Sequence, residues 1–318
     1  DLVDPNEFKD VFILLSTNTK KNKNIQPGGT SNALKYLETF SDNRIKNYNK
    51  NISKPQESRF SCSRLSPYIS WGNLSSRYIW QKLKKSIDHG NSKFQVNSFL
   101  SRLRWNSHFI QRFEMESSIE FSSVNRGYQM IKKKINDSYY NAWTDGETGF
   151  PLVDASIKCL KATGYLNFRM RSMIVSFFTH HLWQPWQLSS HFLARNFLDF
   201  EPGIHYSQLQ MQAGETGVNT IRIYNPTKNA IEKDIEAIFI KKWIPELKNV
   251  PKPLVFEPWK MSEVEQKLFN CEIGKNYPSP IVDIAVTRKY ALDKLWGMRR
   301  NIEVKVDKKR ILSRHINS

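Results

Sequence analysis

From Ser31 onward the apolar residues recur at helical rather than strand spacing. Ala33, Leu34, Leu37 and Phe40 follow Ser31 and Asn32, residue types that cap helices. Similar amphipathic stretches predict helices over 75–87, 94–116, 152–163, 168–182, 188–198, 232–243 and 284–297, and runs with strict strand alternation are few. The expected fold class is all-α. Between the helices sit Gly146-Glu147-Thr148-Gly149-Phe150-Pro151, Glu201-Pro202-Gly203 and Tyr224-Asn225-Pro226. Helices stop there because Pro lacks the amide proton and Gly tolerates positive φ. Ahead of them, the polar stretch Ser16 to Thr30, with Lys20-Lys21-Asn22-Lys23 and Pro27-Gly28-Gly29, reads as a linker. Lys308, Lys309, Arg310, Arg314 and His315 read as a basic tail. The expected organisation is an arm over 1–30, a helical domain over 31–300 and a tail over 301–318, with no repeat of solenoid period.

A length of 318 residues is compatible with one large domain or two lobes sharing an interface. No apolar run approaches the ~20 residues needed to cross a bilayer, so a soluble globular chain with no membrane partner is expected. Aromatics make up 13% of residues, with nine Trp, twelve Tyr and nineteen Phe, and their commonest use is core packing. The formal charge is 48 − 30 = +18, a surplus that draws in polyanions and makes DNA or RNA the leading partner. A merely Lys- and Asn-rich composition is the alternative. Cys62, Cys159 and Cys271 lie far apart with no C-x-x-C pair and no His at ligand spacing, so no metal site is expected. An odd cysteine count without a signal-peptide pattern points to a reducing, intracellular compartment. The start at Asp1 rather than Met points to a longer precursor or a trimmed chain.

Three stretches could carry chemistry. Cys62-Ser63-Arg64-Leu65-Ser66-Pro67-Tyr68 puts hydroxyls and an Arg ahead of a helix, where free amides suit phosphate, although Ser-rich helix starts are also ordinary caps. The run from Arg102 to Arg112 interleaves cations with aromatics, and Trp105, His108, Phe109 and Arg112 fall near one helical face. A ring there can stack on a base while cations meet phosphates; a core Trp flanked by solvated arginines has the same periodicity. The third is Gly164 to Arg171, with Asp199 and Glu201 some thirty residues later. An inward Arg needs a carboxylate, so Arg171 pairs naturally with Asp199, for structure or for function.

These pieces in this order resemble the photolyase/cryptochrome flavoprotein family, in its bacterial-type photolyase branch. The matching strings are Ser63-Arg64-Leu65-Ser66-Pro67-Tyr68 with Trp71-Gly72, Gly146 to Ala155, and Asn167-Phe168-Arg169-Met170-Arg171. Further along come Arg222-Ile223-Tyr224-Asn225-Pro226, Trp243-Ile244-Pro245-Glu246-Leu247, Glu257-Pro258-Trp259 and Tyr277 to Asp283. Each string is short, but the ordered set runs from about residue 30 to 295 and is specific. The resemblance implies two helical lobes around a cavity that holds folded FAD, without the α/β antenna domain, which is removed or separate. In the family's enzymes, light-excited reduced flavin passes an electron to a flipped pyrimidine dimer. The implied partner is damaged DNA, and the implied location is the bacterial cytoplasm, with the nucleoid. The alternative within the family is a blue-light photoreceptor that signals through flavin redox change.

Carried over by position, Tyr48, Cys62, Ser63, Arg64, Leu65 and Ser66 should surround the FAD phosphates and ribityl chain, with Phe99 also in contact. Arg102 and Asn106 fall on a helix shared by flavin and DNA contacts, and Trp105 matches the aromatic against the flipped dimer. Arg171 and Asp199 match the ion pair beside the isoalloxazine, and Glu201 the acidic residue after it. The resemblance assigns DNA contacts to Arg102, Trp105, His108, Arg112, Phe168, Arg169 and Met211, and catalytic roles to Trp105, His205 and Trp186. Departures from the pattern are Cys62 for Thr, Asn106 for Arg, Phe168 for Asn, and Met211 for an aromatic. His205 faces flavin N5 in place of Asn or Asp, where a charge change near neutral pH could act as a gate. Leu209 and Lys133 replace two tryptophans of the photoreduction chain, leaving Trp186 in the middle, with Tyr165, Trp183, Tyr206 or Trp71 as another route.

Overall fold

The computed structural model describes residues 22–315, so most of the expected arm lies outside the described residues. Among the described residues no β-strand forms, and one isolated bridge joins Ile273 to Tyr277. Leaving aside single turns, the helices are α1 Thr30–Asp42, α2 Ser76–Asp88, α3 Lys93–Met115, α4 Asp137–Asp145, α5 Pro151–Thr163, α6 Phe168–Ser176 and α7 Trp186–Asn196. They continue as α8 Pro202–Ala213, α9 Pro226–Lys233, α10 Ile238–Trp243, α11 Glu263–Leu268, α12 Ile284–Arg300 and α13 Ile302–His315.

Two apolar cores define two lobes. The first gathers Leu37 and Phe40 of α1, Ile79 and Leu83 of α2, and Val96, Phe99, Leu100 and Leu103 of α3. The second is built on α5, which presents Leu152, Val153, Ile157 and Leu160 to α6, α9 and α10. Helix α3 has 23 residues, a rise of about 35 Å, and serves both lobes. Its first half fills the first core, and its second half packs along α8. The approach is close because of Gly203: a Cβ there would stand 2.7 Å from the carbonyl oxygen of Phe109.

The second core is anchored on a carboxylate. Asp154 is fully buried and accepts from Thr148 N (2.8 Å), Thr148 Oγ1 (2.6 Å), Gly149 N (3.0 Å) and Tyr277 Oη (2.6 Å). Burying a carboxylate is costly without such donors. Together they fix the 146–150 loop, after which Pro151 starts α5 at a position where its missing N–H is harmless.

Several elements differ from the expected pattern. The stretch 168–182 is α-helix only to Ser176, then widens into a π turn over Phe177–His181. There His180 accepts from Ser176 Oγ (2.9 Å) and donates to the carbonyl of Ala213 (3.0 Å), and burial pushes its pKa down to about 3. The stretch 232–243 is broken because the Asp234 carboxylate takes the amides of Phe239 (3.0 Å) and Ile240 (2.8 Å), ending α9 and starting α10. Helix α8 was not foreseen because His205, Gln208, Gln210 and Gln212 dilute its apolar stripe. Finally, the expected basic tail is α13, with Val304 and Ile311 buried. Its side chains meet a carboxylate: the Arg310 guanidinium (2.8 Å) and the His315 imidazole (3.0 Å) both reach Glu116 at the end of α3.

Gly149 has φ +78°, and a Cβ there would lie 2.4 Å from the Ser279 carbonyl group. Gly149→Ala is expected to lower the unfolding free energy by roughly 3 kcal/mol. Gly28→Ala, with nothing within 4 Å of the added Cβ, should change it by less than about 0.5 kcal/mol. Urea unfolding of both variants checks this, and equal effects would contradict the packing described.

Candidate functional site

Between the two lobes lies a cavity of about 400 Å3. Tyr48, the turn Cys62 to Ser66, Phe99, Arg102, Trp105 and Asn106 line it from the first lobe. Phe168 and Arg171 of α6, Asp199, and His205 and Leu209 of α8 line it from the second.

The Cys62–Ser66 turn is held from behind. Arg44 donates to the carbonyls of Cys62 and Tyr36, and Gln26 donates to the carbonyl of Arg64 (2.8 Å). Arg64 adopts a left-handed φ of 58°, unusual for a non-glycine residue, which is tolerated where the surroundings over-determine it. Its guanidinium sits 3.8 Å over the Tyr165 ring. Desolvation pushes the Cys62 thiol up to about 12, so it stays neutral.

Across the cavity, Arg171 bonds Asp199 (2.9 Å) and the carbonyl of Leu166 (2.8 Å), with its guanidinium 4.0 Å from the Phe197 ring. Two buried polar atoms in these walls have no protein partner: Asp199 Oδ1 and Arg64 Nε. An unmet buried group costs about 1–3 kcal/mol, so the walls suit a ligand with both N–H donors and anionic acceptors.

His205 Nε2 donates to the carbonyl of Ser190 (3.1 Å). Burial pushes its pKa down to about 4, so the imidazole is neutral at pH 7. The expected charge change near neutral pH is therefore corrected.

At the rim, Trp105 is 54% exposed and stacks on Phe109 at 5.8 Å. Phe168, 37% exposed, has Arg102 at 5.4 Å and Arg169 at 5.0 Å from its ring. Arg169 does not line the cavity; it donates to Tyr224 Oη (3.1 Å) beside it.

Other expected site residues lie elsewhere. Glu201 caps α8, accepting from Gly203 N (2.9 Å), and is absent from the cavity wall. Arg112 is on the expected face of α3, but α13 covers that last turn, leaving Arg112 buried near Glu116 and Arg310. His108 touches Trp105 at 5.6 Å and lines a neighbouring groove instead. Met211 is half-buried on α8, at the edge of the face that carries Ile204, Gln208 and Gln212, and is absent from the cavity wall. Trp186 starts α7 inside the core and donates to Ser123 Oγ (3.4 Å), which in turn donates to Glu215 (2.7 Å). Lys133 has a side chain only 3% exposed and pairs with Glu215 at 3.1 Å. Sequence reasoning missed Phe197, Gln208 and Gln212 as wall residues. For the glutamines the available signal was their i, i+4 spacing after Ile204, two polar positions in a helix otherwise turned inward.

The arrangement defines a helical domain with a ligand cavity between its lobes. Residues 99–297 match the family model for the FAD binding domain of DNA photolyase. A deoxyribodipyrimidine photo-lyase of Alkalihalophilus pseudofirmus is 33% identical over 266 residues, 83% of this chain and 54% of that protein. Cryptochrome DASH of Natronomonas pharaonis is 28% identical over 222 residues, 70% of this chain and 47% of that protein. In fold, the chain resembles the crystal structure of a bacterial class III photolyase from Agrobacterium tumefaciens, with TM-score 0.85 and 24% identity over 92% of this chain and 61% of that one. The chain belongs to the photolyase/cryptochrome family, and its cofactor is FAD. It spans about half the length of the curated relatives it matches. The cavity fits FAD: Asp199 Oδ1 can accept from a ring N–H, and Arg64 can meet a phosphate.

Arg171→Ala would leave Asp199, 5% exposed, as an unpaired carboxylate. The variant is expected to purify with FAD absorbance reduced several-fold, and Arg171→Lys with an intermediate value. Full occupancy with an unchanged unfolding midpoint would remove this pair from the cofactor site.

His205 also predicts a pH dependence. Its folded value of about 4 lies below the ordinary 6.5, so the unfolded chain takes the proton first. Its contribution is intact above pH 6.5, declines as pH falls to about 4 and then levels off, a loss of about 3 kcal/mol. His205→Gln should flatten that part of the stability curve in urea unfolding at pH 7, 5 and 4. A slope equal to the parent's would place the imidazole in water.

Proposed function

We propose that this chain is the catalytic portion of a light-driven DNA lyase that splits pyrimidine dimers. The observation that carries this reading is the rim, where Trp105 and Phe168 expose π faces next to Arg102 and Arg169. Rings of this kind stack on extruded bases, and the cations meet the flanking phosphates. Extrusion is least costly for bases whose pairing is already damaged, which favours the lesion over intact DNA. The charge of +18 adds long-range attraction for the duplex.

Bound, reduced FAD supplies photoexcited electron donation to the dimer. The chain's own residues bind, orient and exclude water. Arg171 and Asp199 hold one wall as a fixed pair of charges, and Arg64 presents a donor from the other. Val175, Leu193 and Leu209 keep the interior apolar. His205 acts as a neutral imidazole, with Nε2–H engaged by Ser190 and Nδ1 left as an acceptor. The photoreceptor alternative drew on His205 charging near neutral pH, and the depressed value leaves it without that support.

The test is illumination of FAD-reduced protein with an oligonucleotide containing a thymine dimer, following recovery of thymine absorbance. Repair in light and none in darkness is expected; no repair despite full flavin occupancy overturns the reading. Binding should weaken steeply with salt, and Trp105→Ala should lower the damaged-to-undamaged affinity ratio about tenfold, equivalent to about 1.4 kcal/mol of stacking. An unchanged ratio would move the lesion away from Trp105.

A further inference from the structure

Next to the cavity, α2 and α3 leave a groove of about 320 Å3 lined by Ser76, Arg77, Trp80, Arg104, His108 and Gln111, among others. It shares a wall with the cavity: Leu103 lines both, and His108 contacts the exposed Trp105 ring. We infer that this groove binds one nucleotide of the strand flanking the lesion, its base against Trp80 and its phosphate at Arg77 and Arg104. The inference rests on the repair reading and extends it to a second contact.

Charge is the first argument. No Asp or Glu lines the groove. Helix α2 carries Arg77, Lys82, Lys84 and Lys85 against Asp88 alone, and α3 has no acidic residue before Glu114. A solvated helix face ordinarily interleaves both signs, whereas a face kept free of acids presents a one-signed field to an anion. Ser76 and Arg77 are also the first residues of α2, where free amides and the helix dipole add attraction for phosphate.

The second argument is the ring. Trp80 is half-buried, with Arg104 at 5.4 Å and Lys84 at 5.7 Å from its centroid. An indole edged by two cations offers a stacking surface for any base together with partners for its phosphate, and nothing in it reads sequence. A strand flanking a lesion needs this tolerance, because the lesion's neighbours vary. Continuity with Trp105 supplies the register: the same helix turn that faces the lesion leads directly into the groove.

The test uses FAD-loaded protein and two ligands, the thymine-dimer dinucleotide alone and a single strand of about fifteen nucleotides with the dimer at its centre. Trp80→Ala is expected to weaken binding of the longer one about tenfold and leave the shorter one within twofold of the parent, and Trp80→Phe should retain most of the affinity. Arg77→Ala should lower the slope of log affinity against log salt by about one for the longer strand only. Lys82→Ala, outside the groove, should leave that selective length effect absent. Retained flavin absorbance identifies variants that are folded. If Trp105→Ala weakens binding of both ligands while Trp80→Ala and Arg77→Ala change neither, the groove assignment fails and the repair reading stands. A parent that binds neither ligand overturns both.

Discussion

The arrangement of the site depends on where one carboxylate can be held. Asp199 lies in the short segment between α7 and α8, on the line where the two lobes meet. Arg171 takes its side chain, while Ser70 donates to its own carbonyl (3.3 Å) and Trp71 Nε1 to that of Leu198 (2.8 Å). The amide of Leu198 is tied to Gly164 (3.0 Å), at the end of α5. One segment is thereby hydrogen-bonded to the first lobe, to α6 and to the hub of the second core. A buried charge fixed from three directions has little freedom to reorient, and preorganisation of this kind lets a protein use a charge without paying to move it.

Much of this was legible in the chain. The spacing of apolar residues reveals α2, α3, α5 and α12 to within a few residues because each buries one continuous stripe. The wall residues Cys62 to Ser66 and Arg171 were legible because they sit in short strings of distinctive order, and Asp199 because an inward Arg needs a carboxylate. What escaped was set by tertiary partners. Nothing near Arg112 announces that α13 will cover it, and of the apolar residues that α13 sets among its charges only Val304 and Ile311 are buried. The break at Asp234 was hidden because its side chain competes for amides that a periodicity argument assigns to the helix. Helix α8 fails the same argument for the opposite reason. Its polar residues either face a cavity, as His205, Gln208 and Gln212 do, or hold a loop, as Gln210 does through Ile119, Ser122 and Val124.

A buried ion pair organises the surroundings of Trp186. Trp186, Ser123, Glu215 and Lys133 form a closed polar cluster, with Lys133 4.7 Å from the Trp183 ring. A buried cation needs its carboxylate, and the carboxylate in turn orders the indole. Without a cation at position 133, Glu215 would keep Ser123 Oγ as a donor but lose the ion pair that balances its charge.

Helix α13 has a consequence beyond covering Arg112. Glu116, its side chain 6% exposed, is the last link between α3 and α13, and Trp105 lies about three turns back along α3, a separation of about 16 Å. Because α3 is unbroken between them, the seat of the last helix and the rim ring belong to one continuous element. The last helix thus closes one end of the same element whose middle carries Trp105 at the rim.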